Sequence, residues 1–161
     1  EGPIQCVGLK FFNVYGPNEF HKGEMRSLIL KIFEKLKKKK KVFLFKSHNT
    51  LFKDGEQLRD FIYVKDVIQI INWFINNPKV NGIFNVGTGN PRTFKDLANN
   101  VFLNCNIREN IKYIPTPETI REQYQYFTKA ETNKLKKTGY KKKFTSLEEG
   151  IKDYIRNYLS K

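Results

Sequence analysis

The amino-acid sequence predicts an α/β fold, because short apolar runs of strand character alternate with segments whose apolar residues recur at helical spacing. Hydrophobic residues make up 39% of the 161 positions, which is enough to build a core and argues against a disordered chain. Neither an internal repeat nor a Ser/Gly-rich linker interrupts the alternation, so residues 1–161 are treated as one unit. The sequence contains no run of about 18 apolar residues, which argues against a membrane span.

The predicted strands are apolar runs that end at turn-forming residues, and the predicted helices show an apolar face. The strands cover residues 5–12, 42–45, 61–64, 83–86 and 111–114, and two of the helices cover residues 25–37 and 66–77. A Gly-Pro pair predicts a turn over residues 13–18.

Three further helices are predicted from capping residues. A hydroxyl residue precedes an acidic residue by three positions at Thr93, Thr128 and Thr145, and this spacing is typical of a capping box at a helix start. Gly139 stands where the helix after Thr128 is expected to end.

The charge is strongly positive, at +14 with a pI near 9.7. A basic protein can bind nucleic acid, but the lysines are scattered, and neither an aromatic-interleaved basic motif nor a Cys/His finger is present. The densest run, residues 37–41, follows a predicted helix and is interpreted as its solvated exit. Cys6 and Cys105 have no metal-ligand spacing and are expected to be buried free thiols.

Three segments in a fixed order carry a family resemblance. They read FFNVYGP at 11–17, LRDFIYVKDV at 58–67 and GIFNVGTG at 82–89. In this order and at these separations they closely resemble the C-terminal part of the extended short-chain dehydrogenases/reductases, which act on nucleoside-diphosphate sugars. The resemblance implies the C-terminal part of a Rossmann-type fold, with its last strands and a small substrate-binding domain.

The cofactor-binding half of that fold is expected to be missing from this sequence. No Gly-x-Gly-x-x-Gly fingerprint occurs, and none of the tyrosines is followed by a lysine four positions later. The resemblance places both features upstream of Glu1, so the first βαβ half is expected to be absent and residues 1–161 to be the C-terminal half.

A second set of segments narrows the resemblance to one group. They read HKGEM at 21–25, LFKS at 44–47, DGEQLRDF at 54–61, YQYFTKA at 124–130 and GY at 139–140. Together they look like the ADP-glyceromanno-heptose 6-epimerases, which make a lipopolysaccharide-core precursor. This resemblance implies a cytoplasmic isomerase that binds ADP-heptose and neither nucleic acid nor membrane, and that is a homo-oligomer when full length. It also implies epimerisation at C6″ by transient NADP-dependent oxidation and reduction, with the fragment alone inactive.

Asn13 and Val14 follow a predicted buried strand, at the sheet edge where open α/β sheets bind their ligands. The resemblance implies that Asn13 binds substrate and that Val14 lines the nicotinamide of the cofactor. The alternative for Asn13 is that its amide only satisfies the backbone of a turn.

Arg59 can donate two parallel charge-assisted hydrogen bonds to a diphosphate. The resemblance implies this role, with Asp60 orienting the guanidinium; the alternative is a plain salt bridge between Arg59 and Asp60. Tyr124 is expected to reach the substrate from a loop, or else to be a partly buried aromatic under the following helix.

Lys22 matches the lysine that acts as a second acid/base and contacts the cofactor in the heptose epimerases, whereas a surface lysine is ordinarily just a solvated cation. Such a base must have its pKa lowered by burial or by nearby cations. Glu24 departs from the small or neutral residue expected at its position. The resemblance also assigns the nucleotide end of the substrate to Phe45, Lys46, Ser47 and His48.

Two other interpretations remain open at the level of sequence. One is a different sugar-nucleotide enzyme, such as a UDP-hexose 4-epimerase or a dehydratase. The other, from a different class, is a basic nucleic-acid-binding module, whose binding would fall steeply with salt. A degenerate fragment of a decaying gene is also compatible with the sequence.

Overall fold

Parallel strand pairs form most of the β structure in the computed structural model, which describes residues 5–160. The pairs are β1 (Val7–Phe11) with β6 (Gly82–Val86), β2 (Asn13–Tyr15) with β5 (Phe61–Tyr63), and β3 (Val42–Phe45) with β8 (Ile111–Ile114). A short antiparallel pair joins β4 (Leu58–Arg59) to β7 (Arg92–Thr93). Parallel partners require crossover connections, so helices lie between the paired strands along the chain and the α/β prediction is confirmed.

Six α-helices connect and cover these strands in the described part of the chain. They are α1 (Leu28–Lys37), α2 (Val64–Ile75), α3 (Phe94–Asn104), α4 (Glu118–Arg121), α5 (Asn133–Lys137) and α6 (Leu147–Tyr154). A 3₁₀ segment, Phe20–Met25, precedes α1, and α6 continues into a π-helical turn at Ile155–Leu159. None of the helices within residues 5–160 has the length and apolarity needed to cross a membrane.

The apolar side chains form two hydrophobic clusters. The first lies between α1, α3 and α6 and includes the fully buried Ile29 and Ile151. The second lies between α2 and the β1–β6 pair and includes Ile70 and Phe84. The β2–β5 pair stands between them, because successive strand side chains point to opposite faces. Asn13 therefore begins one strand of this pair, and Arg59 lies two residues before the other.

The predicted strands are confirmed, with one correction at residues 13–15. These residues were expected in a turn, but Asn13–Tyr15 form β2. The cause is a change of hydrogen-bond partner: the backbone N–H of Phe12 still donates to Val86 in β6, at 3.0 Å, whereas that of Asn13 donates to Asp60, at 3.1 Å. The chain thus passes directly from one strand pair into the next.

The helix predictions are confirmed in the first half of the chain, with shifted ends. The helix expected at residue 25 begins at Leu28, because Ser27 caps it and its hydroxyl accepts the N–H of Leu30. The capping box at Thr93 is confirmed, with Asp96 as its acidic member.

Two later capping predictions are wrong in detail. Thr128 starts no helix; its backbone N–H donates to Leu58 and its hydroxyl accepts from Asp60, so pairing with β4 takes precedence over helix formation. The last capping box is shifted by one residue, to Ser146 with Glu149. Thr145 donates both its N–H and its hydroxyl to the buried carboxylate of Asp66 instead.

The prediction of buried thiols is wrong for Cys6, which is exposed, whereas Cys105 is half-buried; both are free. The lysines at 37–41 are exposed at the end of α1, as expected. Gly139 follows α5 with a φ of 103°, a left-handed conformation that favours glycine after a helix end.

Candidate functional site

A cleft of about 350 Å³ surrounds the side chain of Arg59. The guanidinium lies between two aromatic rings, with its central carbon 5.5 Å from the ring centre of Phe94 and 5.4 Å from that of Tyr124. One amino group donates to the carbonyl of Leu58 at 2.9 Å. Contacts with the two rings and the bond to Leu58 hold the guanidinium in the cleft, and its remaining donors are available to a planar or tetrahedral oxyanion.

Burial shifts the titration of both polar partners in this cleft. It lowers the pKa of the Arg59 guanidinium, which nevertheless stays charged at neutral pH because its ordinary value is so high. Burial also raises the pKa of the Tyr124 phenol, against the opposing effect of the Arg59 cation. The cleft therefore presents a fixed positive charge beside a neutral hydroxyl, which suits an anionic ligand.

A second cavity, of about 390 Å³, contains the predicted substrate and cofactor residues Asn13 and Val14. The side-chain amide of Asn13 donates to the carbonyl of Asp60 at 3.3 Å, so it satisfies the backbone beside the neighbouring strand and not that of a local turn. Its amide oxygen has no hydrogen bond within the described residues and can still accept one from a ligand. The two cavities adjoin, since both are lined by Arg26, Leu28 and Phe94.

Asp60 is fully buried and acts differently from the expectation that it orients Arg59. Its carboxylate accepts four hydrogen bonds of 2.7–2.8 Å, from the N–H and hydroxyl of Thr88 and from the N–H groups of Gly89 and Ala130. Within residues 5–160 no ion pair joins Arg59 to Asp60, which corrects both sequence-based interpretations of this pair. Asp60 instead fastens the turn after β6 and the segment after Tyr124 onto the strand that carries Arg59.

The predicted catalytic residue Lys22 lies in the exposed 3₁₀ segment Phe20–Met25 and lines neither cavity. The described residues leave this lysine exposed to solvent. The start of the segment is held by Glu19, a carboxylate only 3% exposed. It accepts the N–H and hydroxyl of Ser27, at 2.7 and 2.6 Å, and the hydroxyl of Tyr154, at 2.9 Å. These bonds join the two residues that flank the segment, Glu19 and Ser27, to each other and to α6.

Of the four residues assigned to the nucleotide end, the structure brings Phe45 into the cleft, where its ring meets that of Tyr124 edge-on at 6.1 Å. Lys46, Ser47 and His48 do not line the cleft. The backbone N–H of Ser47 donates to the carboxylate of Asp54, at 2.8 Å. His48 Nε2 accepts the backbone N–H of Thr116, at 3.2 Å.

Among the cleft residues that sequence reasoning did not assign to a site are Phe94, Arg26 and Lys31. Phe94 could have been suspected, because it is the first residue of a helix with a recognisable cap. The two cations sit on or before α1 and carry no local signal. Lys31 pairs with Glu24, the residue that departs from expectation, with 3.2 Å between Nζ and the carboxylate.

The β1 strand keeps one edge free within the described part of the chain, where it pairs with β6 alone. Large apolar side chains are exposed nearby, with Phe11 at 50% and Ile83 at 69%. A free edge with exposed apolar neighbours is a site at which another strand can add.

Comparison with known proteins places this arrangement in a family. Residues 1–87 match the family model described as the NAD dependent epimerase/dehydratase family, and the chain belongs to that family. This match covers more than half of the chain.

Two curated relatives show which kind of enzyme the chain is similar to. The chain is 50% identical, over 165 residues, to the ADP-L-glycero-D-manno-heptose-6-epimerase of Fusobacterium nucleatum, covering 99% of this chain and 50% of the relative. It is 49% identical, over 161 residues, to the enzyme of the same name from Nitratidesulfovibrio vulgaris, with the same coverage. The chain spans about half the length of the curated relatives it matches.

Solved structures agree with this similarity. The Helicobacter pylori ADP-L-glycero-D-manno-heptose-6-epimerase matches with a TM-score of 0.75 and 31% identity, over 95% of this chain and 44% of that one. The Thermus thermophilus UDP-glucose 4-epimerase in complex with NAD matches with a TM-score of 0.75 and 25% identity, over 94% and 45%.

Proposed function

We propose that this chain is the substrate-binding half of an ADP-glyceromanno-heptose 6-epimerase, an isomerase that inverts C6″ of the heptose. The observation that carries the proposal is the Arg59 guanidinium, which contacts Phe94 and Tyr124 in one of two adjoining cavities. The half-length match to curated heptose epimerases supports the same substrate.

The two adjoining cavities suit a ligand with an anionic linker between two larger groups. The aromatic wall of Phe45 and Tyr124 suits the nucleotide end, and Arg59 supplies paired donors to a phosphate. The free amide oxygen of Asn13 suits a sugar hydroxyl in the second cavity. A nucleoside-diphosphate sugar has this order of groups.

The chemistry at C6″ divides between this chain and a nicotinamide cofactor. The cofactor, proposed to be NADP, would supply the hydride acceptor and return the hydride to the opposite face. On this chain, Val14 offers an apolar surface suited to the nicotinamide ring, and Lys22 would hold or release the proton at the C6″ oxygen. Lys22 can do so only when a further part of the protein or the substrate covers it, because it is exposed among the described residues.

The cofactor-binding half is proposed to add to the free edge of β1. Parallel pairing there would extend the β1–β6 pair and place a new strand beside the exposed Phe11. The 161-residue chain alone is therefore expected neither to bind NADP tightly nor to turn over.

A chimera tests the proposal. The first half of the Fusobacterium nucleatum relative, fused ahead of this chain, is expected to convert ADP-D-glycero-D-manno-heptose to the L-glycero form, whereas the chain alone does not. Lys22→Gln should lower kcat by about a hundredfold or more, and the exposed control Lys112→Gln should not. Turnover by the chain alone would overturn the division of labour, and a chimera that prefers UDP-galactose would favour a UDP-hexose 4-epimerase.

A further inference from the structure

Arg26 lies where the Arg59 cleft and the Asn13 cavity meet. Three residues line both cavities, and Arg26 is the charged one among them, with Leu28 and Phe94 as its apolar companions. Its side chain is 21% exposed, so it is largely withdrawn from bulk water but open to a ligand. A cation at a junction of two cavities is suited to the group that connects two parts of a ligand.

The Arg26 guanidinium is anchored at two of its five N–H groups. One NH1 donor meets the carboxylate of Glu34 in α1 at 2.7 Å, and Nε donates to the carbonyl of Gly23 at 2.6 Å. An arginine has five N–H donors, so three remain for other partners within the described part of the chain. The Gly23 bond ties the guanidinium to the residue directly after Lys22.

We propose that Arg26 binds the diphosphate linkage of the substrate and, through its bond to Gly23, positions Lys22. This inference rests on the proposed function, because the sugar–nucleotide order across the cavities is what brings a diphosphate to their junction. The proposed site binds a diphosphate group, and ADP carries that group, so ADP serves as the probe.

The resting partner of Arg26 can be exchanged for a diphosphate. The Arg26–Glu34 pair joins side chains that are 21% and 32% exposed, and such partly solvated pairs contribute little to stability. A diphosphate carries more charge than one carboxylate and can accept two parallel hydrogen bonds from the free edge of the guanidinium. Glu34 therefore competes with the ligand, and its removal should strengthen ligand binding.

The Gly23 bond gives Arg26 an effect on Lys22 that a simple anion contact would lack. Gly23 has a φ of 53°, in the left-handed region, and it interrupts the 3₁₀ segment directly after Lys22. A guanidinium that moves toward an anion at the junction moves or releases this carbonyl. The position of Lys22 thereby depends on whether the diphosphate is bound.

The test measures ADP binding to the 161-residue chain by titration calorimetry, with backbone amide NMR as a second readout. Arg26→Gln should weaken ADP binding by about tenfold or more, because hydrogen bonds to a charged group are lost. Arg26→Lys should fall between, since it keeps the charge but loses the fork. The matched control Arg156→Gln, an exposed arginine on the π-helical turn, should change binding by less than about twofold.

Glu34→Gln separates a binding role from a purely structural one. Both Glu34→Gln and Arg26→Gln break the same ion pair, so a structural role predicts that both weaken ADP binding. Our proposal predicts opposite directions, with Glu34→Gln strengthening ADP binding by about threefold. The amides of Lys22 and Gly23 should shift on ADP addition in the unmodified chain and not in Arg26→Gln.

The outcomes distinguish this inference from the proposed function. If Arg59→Gln abolishes ADP binding while Arg26→Gln leaves it unchanged, the Arg59 cleft remains the proposed ADP site and the role of Arg26 is refuted. Weakening by Glu34→Gln in parallel with Arg26→Gln also refutes it. If the unmodified chain binds no ADP, the proposed function and this inference both fail.

Discussion

Replacing Asp60 by asparagine removes the central fastening of the Arg59 cleft while keeping its size. One carboxylate oxygen accepts the N–H and the hydroxyl of Thr88, at 2.8 and 2.7 Å, and the other accepts the N–H groups of Gly89 and Ala130, both at 2.8 Å. A carboxamide has one oxygen, so its NH₂ group must face two of these four donors and cannot accept their hydrogen bonds. Two of the four hydrogen bonds are lost, and the other two lose their charge assistance.

The expected cost follows from these contacts. Hydrogen bonds to a charged group contribute about 1.5–3 kcal/mol each, so losing two should lower the free energy of unfolding by about 3 kcal/mol or more. That is a large part of the roughly 5–15 kcal/mol that holds a domain folded. The strand that carries Arg59 should separate first from the segment after Tyr124. ADP binding should therefore fall at a lower urea concentration than the core unfolds.

Urea unfolding, followed by the fluorescence of Trp73 and by circular dichroism, measures this cost. The matched control is Asp54→Asn, because Asp54 is half-buried and its carboxylate accepts one backbone hydrogen bond, from Ser47 at 2.8 Å. It should cost about 1 kcal/mol or less. Equal, small losses for Asp60→Asn and Asp54→Asn would refute the reasoning that Asp60 fastens three segments.

Three further predictions follow from the packing and the ion pairs. A Gly150→Ala methyl would overlap the hydroxyl of the buried Tyr15, so it should cost about 1–3 kcal/mol in urea unfolding, partly recovered in the Tyr15→Phe background. Hydrogen bonds from Lys65 and Tyr63 lower the pKa of Asp153 from 3.8 to about 2, so their stabilisation is present above pH 3.8 and lost as the pH falls towards 2. Asp153→Asn should flatten that part of the stability–pH profile, and an unchanged profile would contradict the assignment. Glu19→Gln should cost about 1–3 kcal/mol and speed amide exchange across residues 20–26, whereas exchange equal to the unmodified chain would show that Glu19 does not hold this segment.

Local patterns predicted most of the fold. The strands and the first helices follow from apolar periodicity, and Thr93 follows from the cap itself, because these signals lie within a few residues of each other. Thr128 shows where local reasoning fails: its spacing matches a capping box, but pairing with Leu58, distant in sequence, decides its structure. Likewise, Asn13–Tyr15 become a strand only because Phe61–Tyr63 are available beside them.

The candidate site was predicted only in part, because contacts between residues distant in sequence also decide which side chains reach it. Arg59, Tyr124 and Asn13 were named from family resemblance, and the structure places them along two adjoining cavities. The cation Arg26 was not, since no motif marks a side chain that reaches a cleft by tertiary packing. The role of Asp60 was also misjudged, because its partners Thr88 and Ala130 are far along the chain from the neighbouring arginine.

The central proposal is that this chain binds an ADP-linked heptose. Calorimetric titration of the chain with ADP-glyceromanno-heptose and with UDP-galactose, each repeated with Arg59→Gln, measures it most directly. We expect the ADP-heptose to bind at least about tenfold more tightly than UDP-galactose, and Arg59→Gln to remove most of that affinity. Equal or tighter binding of UDP-galactose, or ADP-heptose binding that does not depend on Arg59, would contradict the account.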